Sequence, residues 1–185
     1  MSTGGSVGKS KLIGIILCGG LSKRFGEDKA LAVVDGRPMI DLAIDHLRPH
    51  CDRIVLLAGR QPHRFWSRLN PDVEVSSDPG EGPAEALRYW FCEHKQRALV
   101  VPVDMPRLDA SDLGRYLACA PAGCSILGDA QATLPCLVDP SILTTNDKSL
   151  KVCLKTLKAA RISAQAAQID ERHLVNVNRP IPNKE

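Results

Sequence analysis

Gly19, Gly20, Ser22, Arg24 and Lys29 fall in one short stretch, and their types suit phosphate chemistry. Glycine has no Cβ and accepts positive φ, so a phosphate can approach its backbone. Arg24 offers a planar fork of donors and Lys29 a compact point charge. Far along the chain, Asp104 sits in VVPVDMPRL, at the end of an apolar run and before a turning proline. A carboxylate there can hold Mg²⁺, which takes much of its shell from water and substrate phosphates. The other reading of Asp104 is a turn or helix-cap aspartate; the glycine loop upstream favours the metal. Asp78, in SDPGEGP, reads on its own as a turn residue.

These residues need a scaffold that brings them together. Ile13 to Leu17 is an apolar run of strand length directly before the first glycines. A strand, a glycine-rich loop and two cations make a polyphosphate cradle. Further strands are expected at Ile54 to Ala58, Val73 to Val75, Ala98 to Val103, Ser125 to Leu127 and Leu134 to Val138. Ala30 to Val34 reads as a short extended stretch closed by Asp35-Gly36, and Ile162 to Ile169 as a late edge strand. The tail HLVNVNRP is expected to return to extended structure.

Helical spacing follows Pro38, where Met39, Ile40, Ala43, Ile44 and Leu47 share one face. It recurs in Ala84, Leu87, Trp90 and Phe91, and in Leu108 to Leu117 with Asp109 or Ser111 near the cap. Ser149 to Ala160 is the most regular helical pattern, and a short helix packed by Phe65 and Trp66 is expected between the second and third strands. Strands alternating with helices, and strands apolar throughout, predict an α/β fold with a mostly parallel sheet covered on both faces. Ligands in such folds bind beyond the carboxyl ends of the strands. Gly19, Gly20, Arg60, Asp78 and Asp104 each follow a strand end and would gather on that rim.

Two better-known phosphate loops are excluded. The loop after the first strand is not G-x-G-x-x-G. GGSVGKS near the start has three residues between Gly4 and Gly8 where the Walker A loop has four, and no strand precedes it. Residues 1–10 read instead as a disordered Gly/Ser leader, and residues 11–185 as a single domain.

A 44% hydrophobic and 24% charged composition is ordinary for a globular chain. The net charge of +3 and the 4% of aromatics supply no basic, aromatic-interleaved surface for nucleic acid. No apolar run approaches a membrane span. Seven cysteines, odd in number and without a C-x-x-C pair, read as reduced thiols of a cytosolic protein.

The spacing L-x-G-G-x-S-x-R-x-G-x-x-K, from Leu17 to Lys29, resembles the signature loop of nucleotidyltransferases that attach a nucleoside monophosphate to a phosphorylated acceptor. Within them it resembles the molybdenum cofactor guanylyltransferases (MobA-like), and LCGG favours that branch over the cytidylyl one. Asp104 matches the family's D-x-P motif and Asp78-to-Pro83 its aspartate-to-G-P loop. QATLPCLVDP, SLKVCLKTL and NVNRP match later segments in the right order.

The resemblance implies a three-layer α/β/α sandwich with a Rossmann-like sheet of the nucleotide-diphospho-sugar transferase type. It implies transfer of GMP from Mg-bound GTP to the phosphate of molybdopterin, with pyrophosphate released. Arg24, Lys29 and Asp104 would be catalytic, and Asp104 would bind Mg²⁺. Leu17, Cys18, Gly19, Gly20, Ser22, Lys29, Asp78, Gly82 and Asp104 would contact nucleotide, and Asn178 the acceptor. The partners implied are GTP, molybdopterin and cofactor-handling or molybdoenzyme chaperone proteins, in the cytoplasm.

The chain departs from the family pattern at two points. Leu57 stands where the family often has a nucleotide-contacting asparagine, and Gly82-Pro83-Ala84-Glu85-Ala86 stands for G-P-L-A-G. Glu85 is either an acceptor for guanine N1 and N2 or a solvated first-turn residue. Arg60 faces either phosphate or solvent. Cys18, in place of the usual alanine, is either a reactive thiol or a packed small side chain. The lysines at 148, 151, 155 and 158 read as a solvated face. Alternatives of the same fold are cytidylyl or other nucleotidyl transfer to a small phosphorylated acceptor, and a nucleotide-binding adaptor without catalysis.

Overall fold

The computed structural model describes residues 12–19 and 28–177. Of the expected site residues, Gly20, Ser22, Arg24 and Asn178 lie outside them, as does the leader expected over residues 1–10.

Seven strands form one sheet in the order β5-β4-β1-β6-β8-β7-β9. Here β1 is Ile13–Leu17, β4 Arg53–Leu57, β5 Val73–Ser76, β6 Ala98–Pro102, β7 Ser125–Leu127, β8 Cys136–Val138 and β9 Ala160–Ile162. β5, β4, β1 and β6 are parallel, with Leu17 in register with Leu57 on one side and Pro102 on the other. β8 runs antiparallel to both β6 and β7. A small hairpin, β2 (Val33–Val34) and β3 (Arg37–Pro38), stands apart.

Side chains alternate across the strands, so each strand feeds two cores. Ile16, Ile54, Leu56, Leu99 and Val101 pack toward α1 (Met39–Leu47) and α3 (Ala110–Cys119). Ile13, Ile15, Val55, Leu57 and Val100 pack toward α2 (Pro83–Glu93) and α4 (Leu150–Thr156). That is why β1, β4 and β6 read as unbroken apolar runs: both faces are covered. The result is the expected three-layer α/β/α arrangement. Among the described residues no helix is long and apolar enough to cross a membrane.

Helix starts follow local chemistry. Pro38 precedes α1, Pro83 is the first residue of α2, and Asp109 and Asp112 form a reciprocal capping box on α3.

Five local expectations need correction. Lys29–Leu31 is a 3-10 turn, not extended, because the Asp28 side chain accepts from the Ala30 amide. In the 3-10 segment Pro62–Arg68 only Phe65 is buried; Trp66 is 60% exposed. The helix expected over 149–160 ends at Thr156. Lys158 takes a left-handed φ of 53°, and Ala160–Ile162 leaves to pair with β7. The edge strand is therefore short, and residues 163–169 turn back to bury Ala164, Ala167 and Ile169. Glu171–Leu174 is likewise a 3-10 turn.

Candidate active site

The first crossover from β1 leads to β4 and β5 on one side of it, and the chain then returns to β6 on the other. The exits of β1 and β6 therefore diverge at a switch point, where such sheets open a crevice. Lys29 and Asp104 meet here. Lys29 Nζ donates to Asp104 Oδ2 at 2.6 Å, with side chains only 14% and 17% exposed. Asp104 Oδ1 is buried and has no hydrogen-bond partner among the described residues. A half-buried carboxylate with one oxygen unsatisfied is costly to fold. The same oxygen suits a hard cation, and Mg²⁺ needs only one or two protein carboxylates when phosphates and water complete its shell. The residues present thus fit the metal, although the described residues hold no cluster of three or more metal-ligating side chains. The Asp104 carbonyl also accepts from Val177 N at 2.8 Å, which draws the C-terminal segment to this point.

Two cavities flank the switch. One of about 620 Å³ touches the exits of β1, β4 and β5 and is lined by Leu17, Gly19, Leu57, Arg60, Arg64, Asp78, Glu81 and Gly82. The other, about 770 Å³, touches Pro102 at the end of β6 and Met105 beyond it, Gly128 and Asp129 after β7, Thr133 before β8, and Asn176. Asp104 lies between Pro102 and Met105, which line the larger cavity, and β6 is the neighbour of β1, whose exit lines the smaller.

The first cavity depends on close backbone approach. A Cβ on Gly19 would lie 2.5 Å from Gly59 N, so no side chain fits where the β1 and β4 exits touch. Asp78 holds the same junction. It is 8% exposed, and its carboxylate accepts from Gly59 N at 2.7 Å and Gly80 N at 2.9 Å. Its own amide donates back to Gly59 O at 3.1 Å. Gly82 opens α2 at a φ of 104°, with open space where a Cβ would go.

Other residues resolve differently from the open readings. Cys18 turns into the core, where Sγ donates to Leu57 O at 3.3 Å. Burial pushes its thiol far above the ordinary value, so it is a packed side chain and not a nucleophile. Leu57 is buried at the cavity wall.

Arg60 is exposed and braces the neighbouring loop, donating to Pro79 O at 2.8 Å and Glu81 Oε1 at 2.9 Å. Glu85 does not line the cavity. It pairs with Arg88, whose hydrogen bond holds its carboxyl below the usual range. Arg88 in turn donates to the carbonyls of Thr145 and Asp147, so the pair ties α2 to the segment before α4. Glu81 takes the rim position instead.

The lysine face is interrupted, since Lys158 lies beyond α4 and Lys151 donates to Gln131 Oε1. Arg64 is the residue the sequence left unmarked: nothing local in HRFWSR says which way its side chain turns.

Comparison with known proteins agrees with this architecture. The family model of the MobA-like NTP transferase domain matches residues 14–173. A molybdenum cofactor guanylyltransferase from Xanthomonas euvesicatoria pv. vesicatoria is 30% identical over 90% of this chain and 89% of its own. The solved structure of molybdopterin-guanine dinucleotide biosynthesis protein A from Archaeoglobus fulgidus superposes with a TM-score of 0.69 at 19% identity, covering 91% and 93% of the two chains. A solved 4-diphosphocytidyl-2C-methyl-D-erythritol synthase superposes with a TM-score of 0.65 at 16% identity, over 91% of this chain and 93% of that one. At these identities the two structures speak for the fold alone.

Proposed function

The chain belongs to the MobA-like NTP transferase family and is a nucleotidyltransferase; we propose that it moves GMP from GTP to the phosphate of molybdopterin and releases pyrophosphate. The observation that carries the proposal is the Lys29–Asp104 pair at the β6 exit, with Asp104 Oδ1 unpartnered among the described residues; the two cavities open on either side of the β1–β6 switch. The smaller cavity would take the nucleotide, because it is bounded by the glycine junction after β1. The larger, lined in part by Asn176, would take the acceptor, the role the family resemblance gives to Asn178.

The acceptor phosphate has a second pKa of about 6 and is mostly dianionic at neutral pH, so no side-chain nucleophile or base is needed. One of its oxygens attacks the α-phosphorus in line. The new P–O bond forms as the bond to the β-phosphate bridging oxygen breaks, and pyrophosphate carries away the electron pair. The protein's task is to hold two anions together. Lys29, with Arg24, would steady the triphosphate and the departing pyrophosphate. Gly19, Gly20 and Ser22 would line its path with backbone or hydroxyl donors, and Leu17, Cys18 and Gly82 would shape the approach of the nucleoside.

Asp104 is the residue that would hold Mg²⁺, which when bound supplies charge neutralisation to the phosphates. Seven free thiols support a reducing setting, the cytoplasm, where cofactor-handling or molybdoenzyme chaperone proteins are the natural company.

Calorimetric titration with GTP, CTP and ATP, each with and without Mg²⁺, tests the reading, followed by pyrophosphate release with molybdopterin. Selective, magnesium-dependent GTP binding is expected. A preference for CTP would move the chain to cytidylyl transfer, and binding without turnover would make it an adaptor.

A further inference from the structure

We propose that Arg64 is a positioning residue for the phosphate cradle, acting through Asp28 on Lys29; the inference rests on the nucleotidyl-transfer reading above. Arg64 belongs to the 3-10 segment Pro62–Arg68, which the fully buried Phe65 anchors under the sheet edge. With that anchor set, the Arg64 side chain runs back toward β1 and joins the wall of the smaller cavity beside Leu17 and Gly19. Its Nη1 donates to Asp28 Oδ2 at 2.6 Å, and its Nη2 reaches Cys18 O at 3.4 Å. The Arg64 and Asp28 side chains are 16% and 17% exposed, as withdrawn from water as the Lys29–Asp104 pair.

Asp28 is held at both oxygens. Oδ1 caps the 3-10 turn by accepting from Ala30 N, and Oδ2 accepts from Arg64 Nη1. Lys29 is the next residue and the first of that turn. Arg64 therefore fixes the base from which the Lys29 side chain reaches Asp104. The bonded sequence Arg64, Asp28, Lys29, Asp104 links the segment after β4, the turn before β2 and the exit of β6.

Charge gives the same arrangement a second purpose. Asp28 and Asp104 are two carboxylates in a site meant for a polyanion. Lys29 balances one and Arg64 the other, so these four side chains are neutral together. Without Arg64 they carry a net negative charge, only slightly screened because all four are mostly buried. Loss of Arg64 would leave Asp28 uncompensated and add repulsion against a triphosphate at the Lys29 end of the cavity. A guanidinium is the group for this place, since one fork can serve Asp28 and the Cys18 carbonyl together, whereas an ammonium is a single point.

The test uses the full chain with Arg64→Met, Arg64→Lys, Asp28→Asn and the Asp28→Asn/Arg64→Met double variant. GTP and tripolyphosphate are titrated in parallel, and the acceptor KM is measured with thermal melting as the check on folding. Arg64→Met is expected to weaken binding of both probes about tenfold while the acceptor KM stays within twofold. Arg64→Lys should recover part of the loss. With Asp28 already neutral, removing Arg64 should cost much less than it does alone, because the charge it balances is gone.

Arg64→Met binding within twofold of wild type, or strictly additive losses, would overturn the proposal and leave Arg64 a structural brace. Should Arg64→Met not fold, Arg64→Lys decides: affinity within twofold of wild type for both probes overturns it. If wild type binds tripolyphosphate but not GTP, the guanylyl reading falls and the Arg64 series still stands on the base-free probe. If it binds neither, both fall.

Discussion

Asp78→Asn separates two roles for one carboxylate. The family resemblance makes Asp78 a nucleotide contact, whereas the structure gives both its oxygens to backbone amides, of Gly59 and Gly80. Both glycines hold positive φ, 61° and 71°, a conformation that their local sequence does not enforce. Asparagine keeps one acceptor and turns an NH₂ toward the other amide, so one charge-assisted bond is lost at a site only 8% exposed. Such a bond contributes about 2 kcal/mol, which for a chain of this size lowers Tm by roughly 4–8 °C. GTP affinity should fall with it, because Gly59 packs directly on Gly19 at the cavity wall. Thermal melting, GTP titration and hydrogen exchange at the Gly59 and Gly80 amides read the three effects together, and both amides should lose protection. If Tm stays within about 1 °C, protection is unchanged and GTP binding alone is lost, the clamp argument is refuted and Asp78 is a direct ligand.

Gly19→Ala should cost on the order of 1–3 kcal/mol by overpacking, since its Cβ would sit 2.5 Å from Gly59 N, and should close the nucleotide cavity. Gly82→Ala meets no atom and should cost only its backbone strain at φ 104°, leaving β1 and β4 in place; chemical denaturation and GTP titration of both separate clash from strain. Iodoacetamide on the native chain should label the exposed Cys92 and Cys119 and spare Cys18 and Cys51, because burial pushes the Cys51 thiol up to about 12 and that of Cys18 further; peptide mapping that finds Cys18 modified would refute this.

Burial holds His46 below its ordinary value of 6.5, so the unfolded chain binds the extra proton first. The stability tied to neutral His46 is present above 6.5 and lost as pH falls below it toward the folded value. His46→Gln should flatten that decline in Tm, and an unchanged slope would refute the assignment.

How far the sequence could be read depended on the range of the interactions. β1, β4 and β6 announce themselves because burial on both faces makes each a continuous aliphatic run. Pro38 and Asp109 mark helix starts through contacts only a few residues long. The reading failed where a distant partner outweighed local preference. Ala159 and Ala160 favour helix, yet Ala160 donates to Cys124 O and joins β7. Lys29 was legible as a cation but not as the first residue of a capped turn. Asp78 was legible as a turn former but not as the acceptor that joins two loops. Glu85, a candidate for the base, was drawn away by Arg88, a side chain one turn on.

Arg64 shows why the rest stayed out of reach. Candidate phosphate-binding residues are found in sequence when they cluster, as Gly19 and Lys29 do around one loop. Arg64 lies 36 positions beyond Asp28 and reaches it only because β4 pairs beside β1 and Phe65 roots the segment between. The same parallel pairing aligns Leu17 with Leu57 and brings Gly19 against Gly59. One sheet register thus sets both the wall of the smaller cavity, proposed for the nucleotide, and the Arg64–Asp28 pairing beside it. A change in that register would therefore be felt first as lost triphosphate affinity, not as lost acceptor binding. The larger cavity, proposed for the acceptor, depends on β6, β7 and β8, on the far side of the switch.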